Sequence, residues 1–114
     1  MIKIQAIVRS SKFEDVKKAL SEADINFFTF YEVKGYGHQK GKSITYRGSV
    51  YDQGYIGRVK IELIVSKDFK QKAIETIKSA GYTGEVGDGL IYVTALDEIV
   101  NIRTGLKNGE SINN

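Results

Sequence analysis

Two glycine-rich segments and one distant arginine are the residues of this chain whose types and spacing fit a chemistry, the holding of an anion. Gly35-Tyr-Gly37 and Thr83-Gly84-Glu-Val-Gly87-Asp88-Gly89 each fall where a strand pattern ends or begins. Successive backbone N–H groups in such turns can cradle a phosphate. Either segment alone is weak evidence, and Gly87-Asp88-Gly89 reads equally well as the tight turn entering the last strand. The two together, with Arg103 in Ile102-Arg-Thr-Gly105 downstream, point to an anionic ligand; on its own Arg103 would be an ordinary surface charge.

The stretch from Gly35 to Arg58 is rich in contact-making side chains: Tyr36, Tyr46, Tyr51 and Tyr55, with Lys40, Lys42, Arg47 and Arg58. A connection longer than about a dozen residues inside a small domain is usually functional or disordered. We read this one as a loop built to touch a partner, the alternative being a frayed hairpin tip with solvated tyrosines.

Catalysis finds no footing. His38 is the single histidine, no carboxylate is placed to orient it, and no nucleophile–base pair stands out. Arg9-Ser-Ser11 lacks the glycine-rich loop that an acylphosphatase-like hydrolase needs after its first strand. Lys34-Gly-Tyr-Gly37 matches the start of the RNA-recognition signature, but the match breaks at His38 and lies at the end of the second strand rather than on a central one. Neither an enzyme nor a nucleic-acid partner is expected; an RNA-binding or acylphosphatase-like domain is the alternative of another class.

With 114 residues the chain makes one domain with a thin core. The absence of cysteine excludes disulfides and thiolate metal sites, and a single histidine argues against a multi-ligand metal centre. A net charge of +3 permits anion binding without a dense basic block. No run approaches the roughly 18 apolar residues of a membrane span, and no signal-peptide pattern is seen. A cytoplasmic protein is expected.

The elements that must position these residues follow from periodicity. Ile2, Ile4, Ala6 and Val8 alternate with mostly polar neighbours, which predicts a half-buried strand over 2–9. Phe13, Val16, Ala19, Leu20 and Ala23 have helical spacing, with Ser10 or Ser11 as cap and Glu14 completing a capping box with Ser11. Phe27 to Lys34 and Val59 to Val65 read as strands. A second helix opens at Asp68, shows its apolar face at Phe69, Ala73, Ile74, Ile77 and Ala80, and ends at Gly81. Leu90 to Ala95 is the fourth strand, and Asp97 to Arg103 forms a short final helix or strand.

The order β-α-β-β-α-β predicts a ferredoxin-like α+β fold: a four-stranded antiparallel sheet with both helices on one face. Residues 1–105 form the domain, with a long loop at 37–57, and 106–114 a mobile polar tail. One sheet face is left uncovered. Ile2, Ile4, Val59, Ile61 and their neighbours are expected to supply apolar or mixed residues to both faces, so that the chain forms a homo-oligomer.

Several stretches taken together resemble the PII nitrogen-regulatory signalling proteins, from Met1 to about Gly105. They are Lys12 to Leu20, Val33-Lys-Gly-Tyr-Gly-His-Gln-Lys-Gly41, Tyr46-Arg-Gly-Ser-Val-Tyr51, Val59 to Glu62, Thr83 to Gly89 and Ile102 to Gly105. The resemblance implies a homotrimer that binds ADP or ATP in the clefts between subunits. It also implies a long T-loop that docks on a transporter, an enzyme or a transcription factor. By position, Ile7, Thr29, Glu62 and Ile64 would line the adenine and ribose. Gly35, Gly37, His38, Gln39, Lys40, Gly87, Asp88, Gly89 and Arg103 would surround the phosphates. Gln39, Gly41 and Arg58 would meet 2-oxoglutarate, Gln39 also through magnesium on ATP. Tyr51 matches a tyrosine that some members have uridylylated, and is equally an unmodified docking residue.

The chain departs from the family at its cations. Leu90 and Asn101 stand where a lysine and an arginine are usual, His38 where a basic residue is common, and Arg58 where a lysine helps to hold 2-oxoglutarate. Charge-assisted hydrogen bonds are roughly twice as strong as neutral ones. The departures therefore imply a sensor that favours ADP or discriminates weakly, with a reduced response to 2-oxoglutarate. A typical ATP- and 2-oxoglutarate-sensing regulator is the alternative.

Overall fold

The computed structural model describes residues 1–36, 43–46, 49–52 and 55–112, with segments 43–46, 49–52 and 55–56 described by their backbone. In chain order the elements are β1 (Ile2–Arg9), α1 (Phe13–Glu22), β2 (Thr29–Tyr36), β3 (Ser43–Tyr46), β4 (Ser49–Asp52), β5 (Tyr55–Val65), α2 (Lys70–Gly81) and β6 (Gly89–Ala95). The main sheet has the order β2-β5-β1-β6, and every pairing in it is antiparallel. This is the expected ferredoxin-like arrangement.

The period-2 pattern decides the faces. Ile2, Ile4, Ala6 and Val8 of β1 lie opposite Val65, Leu63, Ile61 and Val59 of β5, and all are buried. Phe13, Val16 and Leu20 of α1 and Ala73 and Ile77 of α2 close over them. Ile2, Ile4, Val59 and Ile61 therefore serve the helix-covered face only, because residues opposite one another in a register share a face. The open face carries Lys3, Gln5, Ile7 and Arg9, with Arg58, Lys60, Glu62 and Ile64 beside them.

Several local expectations are corrected. β2 starts at Thr29 and runs on to Tyr36, paired with β5 from Tyr55. Gly35 and Gly57 lie inside this ladder, at the two ends of the stretch expected to form a loop; Tyr and Ile residue types favour extended backbone, and the pairing runs on to Tyr36↔Tyr55. Within that stretch, β3 and β4 form a separate two-stranded sheet, with Ile44 opposite Tyr51. No capping box forms at Ser11: residues Ser10–Lys12 already make a 3-10 turn, and Lys12 caps α1 without a side-chain bond. A cap needs extended backbone at that position. Asp68 likewise lies within the 3-10 turn Lys67–Phe69 rather than opening α2.

α1 ends in a left-handed residue that is not glycine. Asp24 has φ 62, and Ile25 N–H donates to Leu20 O at 2.9 Å. This is the long closing bond of a Schellman motif, and Ile25 is buried behind it.

Residues Asp97 to Arg103 form neither a helix nor a strand. Asn101 organises this segment: its Oδ1 accepts from the N–H groups of Arg103 at 2.9 Å and Thr104 at 3.0 Å, and its Nδ2 donates to Ser111 O at 2.8 Å. Val100 bridges Lys107, and Asn108–Ile112 makes a 3-10 turn with Ser111 buried. Much of the stretch read as a polar tail is thus hydrogen-bonded back to the domain. Among the described residues no helix is long and apolar enough to cross a membrane.

Candidate anion-binding turn

The turn Thr83–Gly89 enters β6 at the end of the sheet where β1 finishes and β5 has just begun its pairing with it. Its glycines are dictated by backbone shape: Gly84, Gly87 and Gly89 have φ 87, 101 and 113. Gly89 is also dictated by space, since a Cβ there would stand 1.7 Å from Ile7 O. At Gly89 the room that the missing Cβ leaves is taken by the neighbouring strand β1.

Asp88 ties the turn together. Its carboxylate accepts from Thr83 N–H at 2.8 Å and Gly84 N–H at 3.0 Å, as well as from the Thr83 hydroxyl. Arg9 Nε donates to the same carboxylate at 2.9 Å. The Thr83 hydroxyl and backbone bonds, then Arg9, hold the Asp88 carboxyl far below the usual carboxylate range, because each of them favours the charged form.

Arg9 and Arg58 lie directly opposite each other across β1 and β5. Arg9 Nη2 donates to Val86 O at 3.0 Å, and Arg58 Nη2 to Gly87 O at 3.0 Å. Partial burial, then the charge of Arg9, lowers the Arg58 pKa from its ordinary value, and Asp88 opposes that. Arg9 and Arg58 both approach Asp88 here, and the turn also carries the exposed carboxylate of Glu85. Arg9 is not announced as a site residue by the sequence: it meets Asp88 from 79 positions away, and no local pattern signals such a pair.

The expected adenine-side residues gather along the open face. Ile7 lies opposite Lys60 and Leu90, Thr29 opposite Glu62, and Ile64 opposite Lys3. Glu62 is engaged there already: it accepts from Gln5 Nε2 at 2.8 Å and from the Tyr31 hydroxyl at 3.1 Å, and its pKa is lowered, chiefly by the Gln5 bond. The Lys60 ammonium lies 5.7 and 5.8 Å from the Tyr31 and Tyr92 ring centres.

Gly35 is exposed near the end of β2. Gly37, His38, Gln39, Lys40 and Gly41 lie outside the described residues. Tyr51 is placed on β4 by its backbone. Arg103 does not join the turn. It follows β6, whose last residue Ala95 pairs with Ile2, at the other end of β1 from Gly89. No hydrogen bond or ion pair among the described residues links it to residues 83–89. Leu90 is 70% exposed, an apolar rim where a cation would serve a phosphate. The depression beside the turn, lined by Ile7, Ile77, Tyr82, Asp88 and Leu90 among others, measures about 110 Å³ within the described residues. Pockets that bury a small ligand measure about 300–1,000 Å³.

Fold and turn together define a small ferredoxin-like α+β domain whose last strand is entered by a glycine-rich turn fastened by Arg9 and Asp88. The chain belongs to the nitrogen regulatory protein P-II family, whose model matches residues 1–106. It is 45% identical over 112 residues to the nitrogen regulatory protein P-II of Azospirillum brasilense, covering 98% of this chain and 100% of the relative. The Rhodospirillum rubrum and Synechocystis proteins of the same name are 43% and 42% identical, again over 98% of this chain and 100% of each relative. Membership makes the chain a signal-transduction protein of nitrogen regulation and not an enzyme.

Proposed function

We propose that three copies of this chain hold an adenine nucleotide, ADP or ATP, in the clefts between them. Residues 37–54, the T-loop, report the bound species to a cytoplasmic regulatory target, a transporter or an enzyme of nitrogen metabolism. The observation that carries the reading is the glycine turn at Gly87–Gly89, set beside two guanidiniums and one carboxylate. It offers phosphate backbone N–H groups with the Arg9 and Arg58 guanidiniums beside them. Among the described residues of one chain the depression beside the turn is small for a nucleotide, and Arg103 follows β6 at its far end. Arg103 from a second copy would complete the phosphate site with Gly35, Gly37, His38, Gln39 and Lys40, and Ile7, Thr29, Glu62 and Ile64 would line the adenine side.

ADP is the better-matched ligand. Leu90 brings no charge, Asn101 spends its amide on the turn that carries Arg103, and Arg58 donates to the Gly57 and Gly87 carbonyls. The end of ATP that carries most charge finds fewer free cations, and 2-oxoglutarate, expected through magnesium, Gln39, Gly41 and Arg58, is held weakly. Tyr51 acts as a docking residue on the β3–β4 hairpin. The test is a thermal-shift screen with ADP, ATP, AMP and 2-oxoglutarate plus magnesium, alongside the mass in solution by light scattering. A trimer stabilised most by ADP is expected. A monomer unmoved by every adenylate would refute the reading.

A further inference from the structure

We propose that Arg9 is the positioning residue of the anion-binding turn, holding the Thr83–Gly89 backbone in its ligand-ready shape without itself touching the ligand. The binding readout of this inference rests on the nucleotide reading above; its structural readout does not. Like charges directly opposite on neighbouring strands are destabilising, yet Arg9 faces Arg58 across β1 and β5. What the pair achieves is geometric. The guanidinium is a rigid planar fork. Arg9 uses it to bond Asp88 through Nε and Val86 O through Nη2, while Arg58 bonds Gly87 O.

Two successive carbonyls are thereby drawn to the arginines. All peptides here are trans, and in a trans peptide the N–H points opposite to the C=O. The N–H groups of Gly87 and Asp88 are therefore turned to the other side of the turn, side by side. The positive φ of Gly87 permits this, and such a concavity suits an anion. Asp88 extends the hold through its bonds from Thr83 and Gly84.

The test uses Arg9→Met, Asp88→Asn and the double variant of the full chain, titrated with ADP. Arg9→Met is expected to weaken ADP about tenfold, the effect of losing hydrogen bonds to a charged group. In the Asp88→Asn background it should add less than about twofold, because contacting residues of one network are not additive. Multiplying effects would mean that Arg9 contacts the ligand and would overturn the inference, as would unchanged affinity. Arg9→Lys keeps the charge but not the fork, so it should recover only part of the affinity; full recovery would count against the two-point geometry. If the parent protein binds no ADP, the nucleotide reading fails, and amide exchange of the free protein still decides this one. Faster exchange at Thr83 and Gly84 in Arg9→Met supports it, and unchanged exchange sinks it.

Discussion

Replacing Gly89 with alanine should separate the two reasons for glycine in this fold. The added Cβ would stand 1.7 Å from Ile7 O and 2.9 Å from Ile7 C, both backbone atoms of a central strand. No flexible side chain can yield; either β6 leaves its pairing at Val8↔Gly89 and Ile7↔Leu90, or β1 moves. The φ of 113 adds strain that a non-glycine residue feels even in open space. Backbone strain of this kind costs about 1–3 kcal/mol and overpacking about 1–3 kcal/mol, so the sum is roughly 2–6 kcal/mol. At about 4–8 °C per kcal/mol for a domain near this size, Tm should fall by roughly 10–50 °C. Gly35→Ala is the control, since nothing lies within 4 Å of its added Cβ; it should stay within about 1 kcal/mol of the parent. Calorimetric or circular-dichroism melting of both variants decides the matter. A Gly89→Ala protein that melts with the Gly35→Ala control would refute the close-approach argument.

Two further outcomes are expected. The Asp88 carboxyl has a folded pKa depressed below its unfolded value. Its contribution to stability is therefore complete above about pH 5 and is lost progressively as pH falls through the ordinary value of about 3.9 towards the depressed folded value. Carboxyl-carbon NMR should show no Asp88 titration near pH 4, and a midpoint there would contradict the bonding pattern. Asp24→Gly should stabilise the protein by about 0.5–1 kcal/mol, because Asp24 caps α1 at φ 62 where glycine has no steric penalty. Denaturant titration would detect the rise, and a loss of stability would show that the Asp24 side chain matters more than its backbone.

The strands and helices were legible in the sequence because their apolar spacing is strict. Ile2, Ile4 and Val8 alternate against Val59, Ile61 and Leu63, and Val16 and Leu20 keep helical spacing. The assignment of faces was less legible: a period of two says that the faces differ, not which one the helices cover. Gly35 and Gly57 read as loop markers, and only the cross-strand partner shows that the ladder continues through them. Asn101 read as a missing arginine, whereas the fold uses its amide to shape the turn that carries Arg103. The glycine turn was visible as a candidate site, but its fastening by Arg9 depends on residues far apart in sequence, and local pattern carries no trace of it.

The account stands or falls on the nucleotide. Isothermal titration of ADP into the full-length chain should give saturable binding near one ADP per chain, lost on Arg103→Ala although Arg103 lies away from its own turn. Absence of heat with ADP, or binding indifferent to Arg103, would contradict a phosphate site shared between copies.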